Sequence, residues 1–109
     1  MTHDQDDPAY MARLNHFIAM LTDEDPSNRW KAAEVLARLQ DERSVDPLIQ
    51  ALSDDDWRVR QKVAWALGMV GDSRALVPLR HALLHEREGV KEIIEEAIDR
   101  IKGTLTSLY

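Results

Sequence analysis

Hydrophobic positions along the chain recur at intervals of three and four, and short acidic clusters interrupt them. Tyr10, Leu14, Phe17, Ile18 and Leu21 form one stripe, Leu48, Ile49 and Leu52 a second, and Val59, Val63, Ala66, Leu67 and Val70 a third. A last run, Val90, Ile94, Ala97, Ile98, Ile101, Leu105 and Leu108, continues close to the C-terminus despite Gly103. This spacing predicts amphipathic helices rather than strands. The punctuation agrees. Asp7-Pro8 reads as a cap followed by a first-turn proline, and Pro47 falls in the first turn of its own helix, where no intrahelical N–H bond is lost. "SDDD" (Ser53 to Asp56) supplies a turn and an N-cap, with carboxylates favoured at the positive helix end. Gly71 is placed to end that helix as a left-handed C-cap, and Asp72 to cap the next unit.

The pattern also returns on itself. A shift of 31 residues superposes Ile18 on Ile49, Leu21 on Leu52, Asp23 on Asp54, Asp25 on Asp56 and Arg29 on Arg60. The identities continue through Lys31/Lys62, Ala33/Ala64, Leu36/Leu67, Asp41/Asp72 and Arg43/Arg74. The same shift applied again pairs Pro47-Leu48 with Pro78-Leu79, Ala51-Leu52 with Ala82-Leu83, Val59 with Val90 and Ala66 with Ala97. A fixed period of this length is the signature of stacked repeat units, whose terminal members are usually modified. The expected organisation is one domain over 1–109: an acidic tail at 1–7, then units at about 8–44, 45–75 and 76–106, each helix, tight turn, helix.

"VRQKVAWALGMVGDSRALVPL", from Val59 to Leu79, resembles the short HEAT-type repeat, also called the PBS-lyase HEAT-like repeat. Its frame is nearly complete in the middle unit, half present in the first, where "LQDERSVDPL" stands in for it, and faint in the third. The resemblance implies an all-α fold: a right-handed α-α superhelix, an armadillo-like solenoid of three helix pairs with the second helices lining the concave side. It implies much less about function.

At about 100° per residue, Trp57, Gln61 and Trp65 fall opposite the core stripe of their helix, with Met69 at the flank. Trp30 occupies in the first unit the slot of Gln61. All three tryptophans thus project from second helices, an aromatic surface of the kind enriched at binding hot spots. Trp57 has a second reading, since in the first turn it can fold over the turn and pack on the neighbouring unit. An open Trp65 predicts that Trp65→Ala leaves the fold nearly unchanged, whereas Leu67→Ala costs about 2–5 kcal/mol. Along the same register the third unit carries Glu88, Glu92 and Glu96, with Glu95 and Asp99 beside them, so the face runs from aromatic to acidic.

Composition narrows the function classes. Twenty acidic against fourteen basic residues give a net charge of −6, a poor match to a phosphate backbone, and no nucleic-acid partner is expected. No apolar run approaches the ~18–20 residues of a membrane span. The absence of cysteine removes disulfides and thiolate chemistry and fits a cytoplasmic protein, as does a polar, acidic N-terminus unlike a secretory leader. A HEAT-like di-iron enzyme, deoxyhypusine hydroxylase, places His-Glu pairs near the start of its second helices. The corresponding slots here are Trp30-Lys31, Gln61-Lys62 and Glu92-Ile93. His81 and His85 have the i, i+4 spacing of metal ligands, but His81 stands at an exposed first-helix register. No catalytic, cofactor or metal site is therefore expected.

The expected function is a non-enzymatic scaffold that binds another protein through the concave face. Trp30, Trp57, Gln61, Trp65, Met69, Glu92 and Glu96 are its candidate contacts, and the partner carries an apolar anchor flanked by basic residues. Two alternatives stand beside it. One is an accessory role in a chromophore or cofactor lyase complex, which the PBS-lyase resemblance suggests. The other is homo-oligomer formation, such as a homodimer; Leu105, Leu108 and Tyr109 read equally as a capping tail or as a dimer contact. Repeated Arg29/Arg60 and Asp41/Asp72 are assigned to the scaffold.

Overall fold

Aspartates mark where helices begin in the structure, a computed structural model that describes residues 7–106. The Asp7 carboxylate accepts from the Ala9 N–H at 2.9 Å, Asp25 from Ser27 at 2.8 Å and Asp56 from Arg58 at 2.9 Å. Each satisfies a donor that the first helical turn leaves without a partner. The described residues form six α-helices: α1 (Pro8–Met20), α2 (Pro26–Leu39), α3 (Val45–Ala51), α4 (Trp57–Val70), α5 (Leu76–Leu83) and α6 (Glu88–Thr106). No strand occurs among the described residues.

α2 and α4 end alike. Gly71 takes the left-handed conformation at φ 76°, and Gln40, 31 positions earlier, takes it at φ 51°. A side chain there costs about 1–2 kcal/mol. Gln40 offsets some of that by donating its amide to the Met69 carbonyl at 3.0 Å, across to the next helix pair. Single 3₁₀ turns, Glu42–Ser44 and Ser73–Ala75, then lead into α3 and α5, capped by Asp41 and Asp72.

The helices pair as α1 with α2, α3 with α4 and α5 with α6, while α4 also packs along its length against both α2 and α6. The second helices thus form one continuous layer, and each first helix packs against its own second helix. The molecule is a plate of 42 × 42 × 16 Å, as two layers of helices about 8–10 Å apart require. Leu14, Leu36, Leu48, Leu67, Leu79, Ile94 and Ile101 are fully buried between the layers. Within the layer of second helices, small residues set the spacing. Gly68 approaches α6 so closely that a Cβ on it would lie 2.9 Å from the Ala97 Cα. Ala33 and Ala37 of α2 and Ala64 and Gly68 of α4 share this register and are buried; in α6 it is held by Glu95 and Asp99, which are exposed.

Ion pairs bind the pairs together at one edge. Arg29 holds Asp54 through Nε (2.7 Å) and Nη2 (3.1 Å) and donates Nη1 to the Asp23 carbonyl. Arg60 repeats the arrangement on Glu86 at 2.6 and 3.2 Å and on the Asp54 carbonyl. The third unit has His85 at the register of Asp54, and the longer Glu86 reaches back to fill the role. At the opposite edge Arg74 crosses to the Glu42 carbonyl, and the Tyr10 hydroxyl donates to Asp41 at 2.9 Å. The repeated Arg and Asp positions are thus scaffold, as the sequence suggests.

Candidate functional site

Once α4 has buried Val59, Val63, Ala64, Ala66, Leu67 and Gly68 against its neighbours, one strip of its surface remains. Gln61, Trp65 and Met69 lie along that strip, half-buried. Register places Trp30 of α2 and Glu92 of α6 level with Gln61. It likewise places Glu34 and Glu96 level with Trp65, and Arg38 and Arg100 level with Met69. Glu92 and Glu96 are exposed. The apolar centre of the face is therefore flanked by charge on both sides, and not on the α6 side alone.

Lys62 changes the character of this face. Its ammonium lies 4.4 Å from the ring centroid of Trp30 and 4.5 Å from that of Trp65, so one cation sits against two indoles. The same Nζ is 3.7 Å from Glu34 Oε2, and Glu34 also pairs with Arg38 at 3.4 Å. Cation–π contacts of this kind contribute about 0.5–1 kcal/mol each at partly exposed sites. Trp30 and Trp65 also pack against the core, so neither is a free surface ring. Sequence reasoning missed Lys62 and Glu34. The signal was present in the i, i+3 spacing of Lys62 and Trp65, but the approach of Trp30 depends on how closely α2 and α4 pack.

Trp57 stands apart. It is 54% exposed and makes no ring contact with the other two. Its neighbours are at the turns, with Asp55, Arg60, Glu86 and Arg87 on one side and Pro26 and Arg29 on the other. The structure thus brings Trp30 and Trp65 together across Lys62 and leaves Trp57 at the end of the face. Trp30 and Gln61 line a depression of about 310 Å³ between the starts of α2 and α4, with Lys31, Asp56 and Arg58 at its rim. The Arg58 guanidinium and backbone N–H hold the Asp56 carboxyl down to about 2. The electrostatics therefore run from a mixed rim at α2 and α4 to carboxylates at α6.

His81 and His85 are exposed, their rings tilted at 5.2 Å. Glu86, the nearby third donor, is committed to Arg60. Among the described residues no group of three or more His, Asp or Glu is placed to hold a metal. No helix among them is long and apolar enough to cross a membrane. Leu105 is partly exposed, while Leu108 and Tyr109 lie outside the described residues.

A family model for HEAT repeats matches residues 14–99, well over half of the chain and all of the face just described except Arg100. Among curated proteins, none matches it.

Proposed function

The chain belongs to the HEAT-repeat family, whose repeats generally mediate protein–protein interaction, and we propose that it is a non-enzymatic scaffold module, cytoplasmic, holding a partner protein on the face formed by α2, α4 and α6. The observation that supports this reading is the line of Gln61, Trp65 and Met69 on the surface of α4, at a register where the core needs no large side chain. Tryptophan and methionine at the centre of a polar rim match the anatomy of an interface, in which a few buried anchors carry most of the binding energy. The partner presents an apolar group over Trp65 and Met69, and basic residues over Glu88, Glu92 and Glu96 of α6. At the α2–α4 depression the partner is neutral or acidic over Lys31 and Arg58.

Site-specific photo-cross-linking in the host cell tests the face. A photoreactive residue at Gln61 is expected to capture a heterologous protein that the same residue at Gln50, exposed on α3, does not. Equal capture from both positions, or none from Gln61, overturns the reading. Adducts formed only with a second copy of the chain would replace it with homo-oligomer formation.

A further inference from the structure

We propose that Trp30, Trp65 and Glu34 form a seat for an alkylammonium group, held in the free protein by Lys62 and taken in the complex by a lysine side chain of the partner. The inference rests on the reading of this face as the partner-binding one. Its basis is geometric: the Lys62 ammonium is 4.4 and 4.5 Å from two indole centroids and 3.7 Å from a carboxylate oxygen. Two rings and one carboxylate around a single point charge select a cation, because each ring presents its negative face and desolvation strengthens the attraction. The occupant is replaceable. The Lys62 side chain retains 22% of its exposure and hangs on a flexible four-carbon stem, so it can leave without moving α4.

The seat opens on the surface that a partner would cover. Such a partner must either bury the Lys62 ammonium beneath itself or substitute a cation of its own. Exchange of ammonium for ammonium leaves the rings and Glu34 satisfied throughout. An uncharged group pushed between the rings would instead leave Glu34 without the Lys62 contact and gain nothing from the ring quadrupoles. Self-occupancy has a further consequence: it keeps the two indoles covered in the free protein, so the face does not stay sticky when empty. The exchange therefore acts mainly on specificity, with affinity coming from the apolar contact over Trp65 and Met69.

Three tryptophans give three indole N–H signals, and Trp57 serves as the internal control. Lys62→Ala vacates the seat, and Lys62→Met keeps it filled with a neutral chain. The probe is N-acetyl-lysine methylamide, compared with its norleucine counterpart at matched ionic strength. An occupant that fills the seat nine-tenths of the time weakens apparent affinity about tenfold. The lysine probe is therefore expected to shift the Trp30 and Trp65 signals of Lys62→Ala at about one-tenth of the concentration that the wild type needs. Lys62→Met should not respond, and the Trp57 signal should not move. Equal affinity for the wild type and Lys62→Ala, or equal response to lysine and norleucine, overturns the seat. A second measurement needs no variant: two indole ring currents should shift the Lys62 ε-methylene protons upfield, and binding of the cross-linked partner should release them. A partner that occupies the face while those protons stay shifted overturns the seat and leaves the face standing.

Discussion

Gly68→Ala adds a single methyl group at the tightest point between two helices, and the structure sets the size of the effect. The new Cβ would lie 2.9 Å from the Ala97 Cα, 3.1 Å from the Ala97 Cβ and 3.6 Å from the Arg100 Cδ. Carbon atoms pack best at about 3.5–4.0 Å, so α6 must withdraw by roughly 0.6–1 Å. The nearest obstacle is backbone, which no rotamer change relieves. Overpacking of this kind costs about 1–3 kcal/mol. Alanine is preferred to glycine inside a helix by about 0.8–1.0 kcal/mol, leaving a net loss of about 1 kcal/mol. Gly103 provides the control, since it also lies in a helix but a Cβ there meets nothing within 4 Å. Gly103→Ala therefore keeps the propensity gain unopposed. At about 4–8 °C per kcal/mol for a domain of this size, the two variants should separate on the order of 10 °C in thermal unfolding followed by circular dichroism, one below the wild type and one above. Equal stabilisation by both substitutions would refute the close approach of α4 and α6, and with it the placing of Trp65 beside the α6 carboxylates.

Leu67→Ala, at a site 1% exposed, should cost about 2–5 kcal/mol in denaturant unfolding. Trp65→Ala should cost about 1–2 kcal/mol, because it removes a half-buried ring and its contact with Lys62; a loss as large as that of Leu67→Ala would mean the ring is core and not interface. Arg60→Ala strips the guanidinium from Glu86, whose side chain is only 7% exposed, and should lose about 2–3 kcal/mol; Arg58→Ala, at a surface pair, should change little, and equal effects would mean that the Arg60–Glu86 pair does not tie the helix pairs together. Asp41 gives a pH dependence. Hydrogen bonds from the Arg43 side chain and backbone, joined by the Tyr10 hydroxyl, hold its carboxyl at about 2 against burial that pushes the other way. A folded pKa below the unfolded one means the contribution, about 2 kcal/mol, is complete above pH ~4 and is lost as pH falls through ~2. Asp41→Asn should flatten that limb of an acid-unfolding curve, and an unchanged limb would place the protonation elsewhere.

The all-helical fold and the capping residues were legible from local chemistry, because Asp caps, first-turn prolines and a left-handed glycine act within one or two turns of themselves. The period of 31 residues then implied stacking, since one helix pair cannot cover its own apolar stripe. It also identified Arg29 and Arg60 as scaffold by their recurrence. The partner of Arg60 was not legible: the third unit has His85 at the register of Asp54, and the longer Glu86 side chain reaches from the next position instead.

For the candidate site, the sequence alone determined which side of α4 faces outward, because the helical period fixes where Gln61, Trp65 and Met69 point relative to Val63 and Leu67. It grouped three tryptophans that the fold divides. Whether Trp30 and Trp65 are open or closed depends on the distance between α2 and α4, which the buried small residues of the layer set. At that distance a lysine of one helix reaches an indole of the other, and Trp57, at the turn, does not take part. Helical period is a property of one segment and can be read along the chain. The Lys62 contact with both indoles is a property of the gap between two segments, and only the packed structure decides it.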